Sequence, residues 1–286
     1  MKQFAIFRAA LCTAAALLLT GCGLETISAG SSAPQSEQSD APVTTQPDVT
    51  EASPQSTSAD TVAASQTDAQ PVPADGRVLI EGVPHLDQST GYATACESLA
   101  ACSLMQFYGY DIQPGTFIKE HLPVADYPYD SDGDGVLEAM SPWDYFIGSP
   151  LKSNGYGCYS TAILKAMESV APGAAEVLRN VPLADLCRDY IDKGQPVMIW
   201  ATIEMQPTRE GHSWMLPNGE RFTYTRPEHA LVLIGYDADS YLFSDSLREA
   251  DVTPYSKAAV ETAYQGLFEQ AIVIKKPAAA ANADAE

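Results

Sequence analysis

Apolar and polar positions divide this chain of 286 residues into three stretches. An apolar run spans Ala9 to Leu19, a polar stretch reaches to about Asp75, and a patterned region covers Arg77 to Lys276. The patterned region opens on a short extended lead-in, Arg77 to Ile80 and Val83 to Leu86. The next segment has helical spacing, with Leu99, Cys102, Ser103, Gln106 and Phe107 near one stripe and Gly109 as the stop. Thr94 and Glu97 have the spacing of a capping box, which starts this helix at Thr94 and sets Cys96 in its first turn. Phe117 to His121, Tyr156 to Val170 and Leu183 to Asp192 read as further helices, the last closed by Gly194. Pro196 to Ile203 is continuously apolar, as a strand covered on both faces should be. A polar loop through Gly211-His212-Ser213-Trp214 to about Arg221 follows. His229 to Tyr236 and Tyr241 to Ser244 are strands joined by a turn at Asp237–Ser240, and Ala271 to Ile274 is the last strand. Helices first and mostly antiparallel sheet afterwards is an α+β layout.

The N-terminal pattern changes the picture of where this domain works. Lys2 and Arg8 precede the apolar run, and Leu19-Thr20-Gly21-Cys22 follows it. The run is short for a bilayer span, and the small residues before Cys22 fit a cleavage site. This segment resembles a bacterial lipoprotein signal, which implies removal of residues 1–21, lipidation at Cys22 and a mature protein held on the extracytoplasmic side of the cell membrane. From Cys22 to residue 75 the chain is Ser, Ala, Thr, Gln, Pro and Asp with almost no large apolar residue, the composition of a disordered tether. Residues 277–286 are expected to be a disordered tail, leaving 76–276 as one folded domain.

A net charge of -21 excludes nucleic acid as an expected partner, because no basic patch exists to displace counterions from phosphates. Four cysteines, Cys96, Cys102, Cys158 and Cys187, remain in the folded region, and no CxxC or Cys/His spacing fits a zinc site. Cys96 stands out, since a thiol in the first turn of a helix meets unpaired amides and the positive end of the dipole, which favour the thiolate. Downstream, Glu228-His229-Ala-Leu-Val-Leu-Ile-Gly-Tyr-Asp supplies a candidate general base in His229, with His85, His121 and His212 as rivals; His212 is placed to line a cleft instead. Asp245 ends the strand after the one His229 opens, so adjacent strands can bring carboxylate and imidazole together.

These pieces occur in a recognisable order: Val83-Pro84-His85-Leu86-Asp87-Gln88, Ala95-Cys96-Glu97-Ser98-Leu99-Ala100, Phe146-Ile147-Gly148-Ser149-Pro150, Gly194-Gln195-Pro196-Val197, Glu228-His229-Ala230 through Asp237, and Ser244-Asp245. In that order they resemble the papain-like cysteine peptidases, and more closely the peptidase-like family related to bacteriocin-processing, double-glycine-cleaving peptidases. The resemblance implies a papain-like fold, a Cys96–His229–Asp245 triad, and Gln88 donating its amide N–H to an oxyanion with the Cys96 backbone N–H. It implies hydrolysis of a peptide or protein substrate without a catalytic cofactor. The same constellation also serves cell-wall cross-link hydrolysis or acyl transfer, and a non-catalytic surface binding module on the same fold is the alternative of a different class.

Asp130-Ser-Asp132-Gly-Asp134-Gly135-Val136-Leu-Glu138 is a separate signal. Its alternating carboxylates match the first half of a calcium loop, with Asp130, Asp132, Asp134 and the Val136 carbonyl as ligands and Gly135 at the sharp turn. Ser141 stands where a bidentate Glu belongs, so Glu138, Asp144 or water must complete the shell of any structural Ca2+.

Overall fold

The computed structural model describes residues 76–275 and 277. The signal, Cys22 and the tether lie outside the described residues, as does the tail beyond residue 277. In chain order the strands are β1 (Val78–Leu79), β2 (Val124–Ala125), β3 (Phe146–Ile147), β4 (Ala175–Arg179), β5 (Val197–Thr202), β6 (Arg209–Met215), β7 (Arg221–Arg226), β8 (Glu228–Tyr236), β9 (Ser240–Ser244), β10 (Thr253–Ser256) and β11 (Gln270–Ile274). The helices are α1 (Cys96–Phe107), the single turn α2 (Pro114–Thr116), α3 (Ser160–Val170), α4 (Leu183–Asp189) and α5 (Lys257–Gly266).

One sheet organises these elements, in the order β10-β9-β8-β5-β11-β4, with β1 pairing along β8. Every pairing in it is antiparallel. All six residues of β5 are buried, as its unbroken apolar run requires of a strand covered on both faces. Side chains alternate between faces along a strand. Met198 and Trp200 of β5, with Ala230 and Val232 of β8, therefore join one core with Leu104 and Met105 of α1 and Ile163 and Met167 of α3. Val197 and Ile199, with Leu231 and Leu233, join a second core with Leu186 of α4 and Val260 and Tyr264 of α5. This is the α+β architecture the sequence predicts, with a mostly antiparallel sheet.

Several boundaries move. The helix expected from Tyr156 begins at Ser160, because Tyr156 and Gly157 instead pair with Ile147 through backbone bonds of 2.9 and 3.0 Å. The last turn of the helix expected over Leu183–Asp192 is a separate 3-10 turn, Ile191–Lys193, ended by Gly194 at a positive φ of 70°. The expected polar loop after Gly211 is instead a two-stranded hairpin, β6 with β7. Its polar sequence hides the pairing, since its buried side is carried by few residues, chiefly Trp214 and Tyr224.

The capping box does not form. The N-cap of α1 is Ala95, with no side-chain cap, and the helix begins at Cys96. The Thr94 hydroxyl lies against the carbonyls of Ser149, at 3.2 Å, and Lys152, at 3.0 Å. Glu97 is fully buried, with Oε1 accepting from Cys158 N. Cys96 is nonetheless in the first turn, so the local expectation fails while its placement of the cysteine holds.

Candidate active site

Three elements carry the predicted site residues to one place. Cys96 is the first residue of α1, His229 is the second residue of β8, and α1 packs on β8. Gln88 starts a 3-10 turn, Gln88–Thr90, whose N-cap Asp87 accepts from Ser89 N. Cys96, His229 and Gln88 line one cavity of about 790 Å³, whose wall also includes Tyr127, Tyr156, His212 and Arg226. Asp245, directly after β9, stands behind His229: its Oδ1 lies 2.8 Å from His229 Nε2. Both side chains of that pair are buried.

Asp245 is held by more than the histidine. Leu247 N donates to Oδ1 at 3.0 Å, and the Tyr255 hydroxyl donates to Oδ2 at 2.7 Å. Burial alone would raise its carboxyl, but the hydrogen bonds from His229, Tyr255 and Leu247, with the attraction of His229, outweigh it and keep the group below the ordinary carboxylate range. With Nε2 engaged, His229 Nδ1 is buried and has no hydrogen-bond partner.

Gln88 is fixed at both ends of its amide. Nε2 donates to the Ala93 carbonyl at 3.1 Å, and Oε1 accepts from Ser246 Oγ at 3.0 Å. One Nε2 hydrogen is left for the cavity. The rival histidines are engaged elsewhere: His85 Nδ1 lies 3.4 Å from Ser244 Oγ, and His121 Nδ1 lies 2.5 Å from Ser169 Oγ. His212 lines the cavity, as expected, with Nδ1 2.6 Å from the Tyr156 hydroxyl.

The electrostatics of Cys96 differ from the expectation of a helix-activated thiolate. Burial pushes the thiol well above its ordinary range, negative charge on the adjoining Glu97–Glu228 pair pushes it further, and the Ala230 N–H pulls less strongly the other way. The dipole of one helix end is the smaller effect beside two carboxyls whose oxygens lie within 4.8 Å of the sulfur. Cys96 donates its S–H to Glu97 Oε2 at 3.4 Å rather than to His229. All four cysteines in the described residues are free thiols.

The acidic loop also forms a cluster. One carboxylate oxygen from each of Asp130, Asp132 and Asp134 lies within 4.8 Å of the others. Asp130 accepts from Gly133 N at 2.7 Å and Gly135 N at 2.9 Å, and Asp134 accepts from Val136 N at 2.8 Å. Glu138 is turned aside, with Oε2 accepting from Ser131 Oγ at 2.5 Å.

Sequence reasoning missed Glu97 and Glu228 as parts of this site. Glu97 sits where helix-start glutamates are common, and nothing in the local sequence distinguishes a buried one. Tyr255 and Tyr224 were missed for a simpler reason: they enter from strands whose pattern gave no sign of their destination.

A long helix that begins at a buried cysteine and packs on an antiparallel sheet carrying a His–Asp pair is the papain-like fold. The chain belongs to the Peptidase_C39 like family, whose profile matches residues 80–272. It is similar to a structure described as a C39-like peptidase from Bacillus anthracis, with 25% identity and a TM-score of 0.62 over 70% of this chain and 98% of that one. It is 26% identical over 184 residues to "Uncharacterized protein YvpB" of Bacillus subtilis (strain 168), covering 63% of this chain and 69% of that protein. Xylellain, a cysteine protease from Xylella fastidiosa, matches at 15% identity and a TM-score of 0.33, over 70% of this chain and 85% of that one, a likeness too distant to bear on the fold.

Proposed function

We propose that this protein is a cysteine peptidase held on the outer side of the cell membrane by a lipid on Cys22. The observation that carries the reading is one cavity lined by Cys96, His229 and Gln88, with His229 Nε2 bound to Asp245 and Nδ1 unpartnered. Family membership supports a peptide or protein substrate.

In this reading Cys96 turns from Glu97 toward His229, gives its proton to Nδ1, and its sulfur attacks the peptide carbonyl carbon. The carbonyl oxygen becomes an oxyanion, met by the free Gln88 Nε2 hydrogen and the Cys96 backbone N–H. Collapse breaks the C–N bond while His229 returns the proton to the leaving amine. Water, deprotonated by His229, then hydrolyses the thioester. Asp245 holds the tautomer with the proton on Nε2 and stabilises the imidazolium. The proposal extends to a structural calcium ion in the acidic loop, taking no part in this chemistry.

A peptidyl vinyl sulfone applied to the recombinant domain tests it. Cys96 should be modified in preference to Cys102, Cys158 and Cys187, and both labelling and peptide cleavage should drop by at least about 10²-fold in His229→Ala, the scale of a lost general base. Four equally inert thiols in the folded protein would make the fold a binding module.

A further inference from the structure

Glu97 and Glu228 approach one another behind the Cys96 sulfur, over Gly157. A Cβ built on Gly157 would stand 2.5 Å from the Tyr224 hydroxyl and 2.6 Å from each of Glu228 Oε2 and Glu97 Oε1. Three polar oxygens converge on the space one methyl group would fill. Two carboxylates cannot both stay charged that close together in a buried site, so the partners of each oxygen indicate which holds a proton.

Glu97 has donors. Cys158 N donates to Oε1 at 2.7 Å and the Cys96 thiol to Oε2 at 3.4 Å, so both oxygens act as acceptors. Glu228 does not. Its Oε1 is buried without a partner, and its Oε2 lies 3.2 Å from the Tyr224 hydroxyl. Tyr224 has a single hydrogen, and the Tyr156 carbonyl, which can only accept, lies 2.5 Å away and takes it. The contact between Tyr224 and Glu228 is then a hydrogen bond only if the proton comes from Glu228.

We propose that Glu97 and Glu228 are a carboxylate–carboxylic acid pair, Glu228 keeping its proton and donating to Tyr224, and that Glu97 is a positioning residue that holds Cys96 as a thiol until its own charge is removed. The inference rests on Cys96 being the nucleophile. The groups facing the pair are Cys96 from α1, Cys158 and Tyr159 from the segment before α3, Tyr224 from β7, and His229 from β8. Of these, His229 alone can become positive. Burial raises Glu97 to about 7, and burial with the charge of Glu97 raises Glu228 well above the ordinary range. As pH falls through neutrality Glu97 takes up a proton, the charge beside the sulfur disappears, and transfer of the thiol proton to His229 becomes easier.

Alkylation of Cys96 by iodoacetamide from pH 5 to 9, followed by peptide mass spectrometry, reads this without a substrate. Glu97→Gln should raise the Cys96 rate at pH 7 at least about tenfold and move its midpoint about one pH unit to the acid side, the direction in which removing a nearby charge acts. Glu228→Ala should lower the melting temperature, and Glu228→Gln should restore it from pH 5 to 8, because an amide keeps the donor of a neutral acid. A Glu97→Gln midpoint equal to that of the unaltered protein, or no rescue by Glu228→Gln, overturns the pair while leaving the peptidase reading intact. If Cys96 is inert in every variant at every pH, both fall. Should Glu97→Gln fail to fold, carbon-13 titration of the carboxyls in the unaltered protein decides: Glu228 should stay protonated after Glu97 has ionised, as burial beside a charged carboxylate requires, and two carboxyls ionising together in the ordinary range would overturn the proposal.

Discussion

Asp245 shows how a buried charge is kept at the residue scale. Three donors converge on its two oxygens, and each would be left unpaired if the carboxylate were lost. Its folded value lies below the ordinary 3.8, so the stability it contributes is present above that value and is lost as pH falls through the lower folded one. Asp245→Asn should therefore cost about 1–3 kcal/mol at pH 7, the scale of a damaged buried hydrogen-bond set, and the gap to the unaltered protein should begin to narrow as pH falls below about 4, the ordinary carboxylate value. Urea unfolding at pH 7, 4 and 3 measures it; a gap independent of pH would mean the charge contributes nothing. The grouping of Cys96, His229 and Gln88 around one cavity, with Asp245 behind His229, was legible because six short pieces, each weak alone, occur in one order. Glu97 was misread because capping is judged from neighbours in sequence, whereas Thr94 is claimed by carbonyls more than fifty residues away.

At the scale of elements, legibility followed the strength of the pattern. The central strands β5 and β8 carry long apolar runs and were found nearly to the residue. The β6–β7 hairpin was not, because its polar positions outnumber its buried ones and a register irregularity between Glu210 and Ser213 interrupts the alternation. Helix α5 carries too weak a pattern to read from sequence: its buried side is only Val260, Ala263 and Tyr264. The acidic loop lies between two paired residues, Tyr129 and Glu138, the second of which also bridges to Met215 of β6. An ion bound to Asp130, Asp132 and Asp134 would thus tighten a closed loop, and mass action should raise the melting temperature with calcium concentration, by the equivalent of about 2.7 kcal/mol at a hundredfold excess over Kd. Magnesium should do much less, since it demands a tighter octahedral shell. Calorimetric titration beside Asp132→Ala checks this; identical melting curves at millimolar calcium would make the segment a solvated acidic loop.

For the whole molecule, sequence alone speaks to where the domain is held. Cys22→Ser should release the mature protein from the membrane fraction or leave it unprocessed, because one diacylglyceryl group is the proposed anchor. Membrane retention and lipid labelling that persist in Cys22→Ser would remove the anchor from the reading. Among the described residues no helix is long and apolar enough to cross a membrane.

The candidate catalytic residues and part of the cavity wall come from different parts of the architecture. Cys96, His229 and Asp245 belong to α1, β8 and the end of β9, packed on the large sheet, whereas His212 and Arg226 belong to the separate β6–β7 hairpin. Such a division lets substitutions drift on the wall while the reacting atoms stay put, so relatives with the same core can diverge in what they accept. The Tyr224 hydroxyl limits that freedom. It fastens the hairpin to the Tyr156 carbonyl and reaches Glu228, so a transplanted hairpin lacking this phenol would disturb the carboxyls beside Cys96 along with the shape of the cavity. On the proposed function, what the cavity accepts and how readily Cys96 reacts are tied together at that one ring.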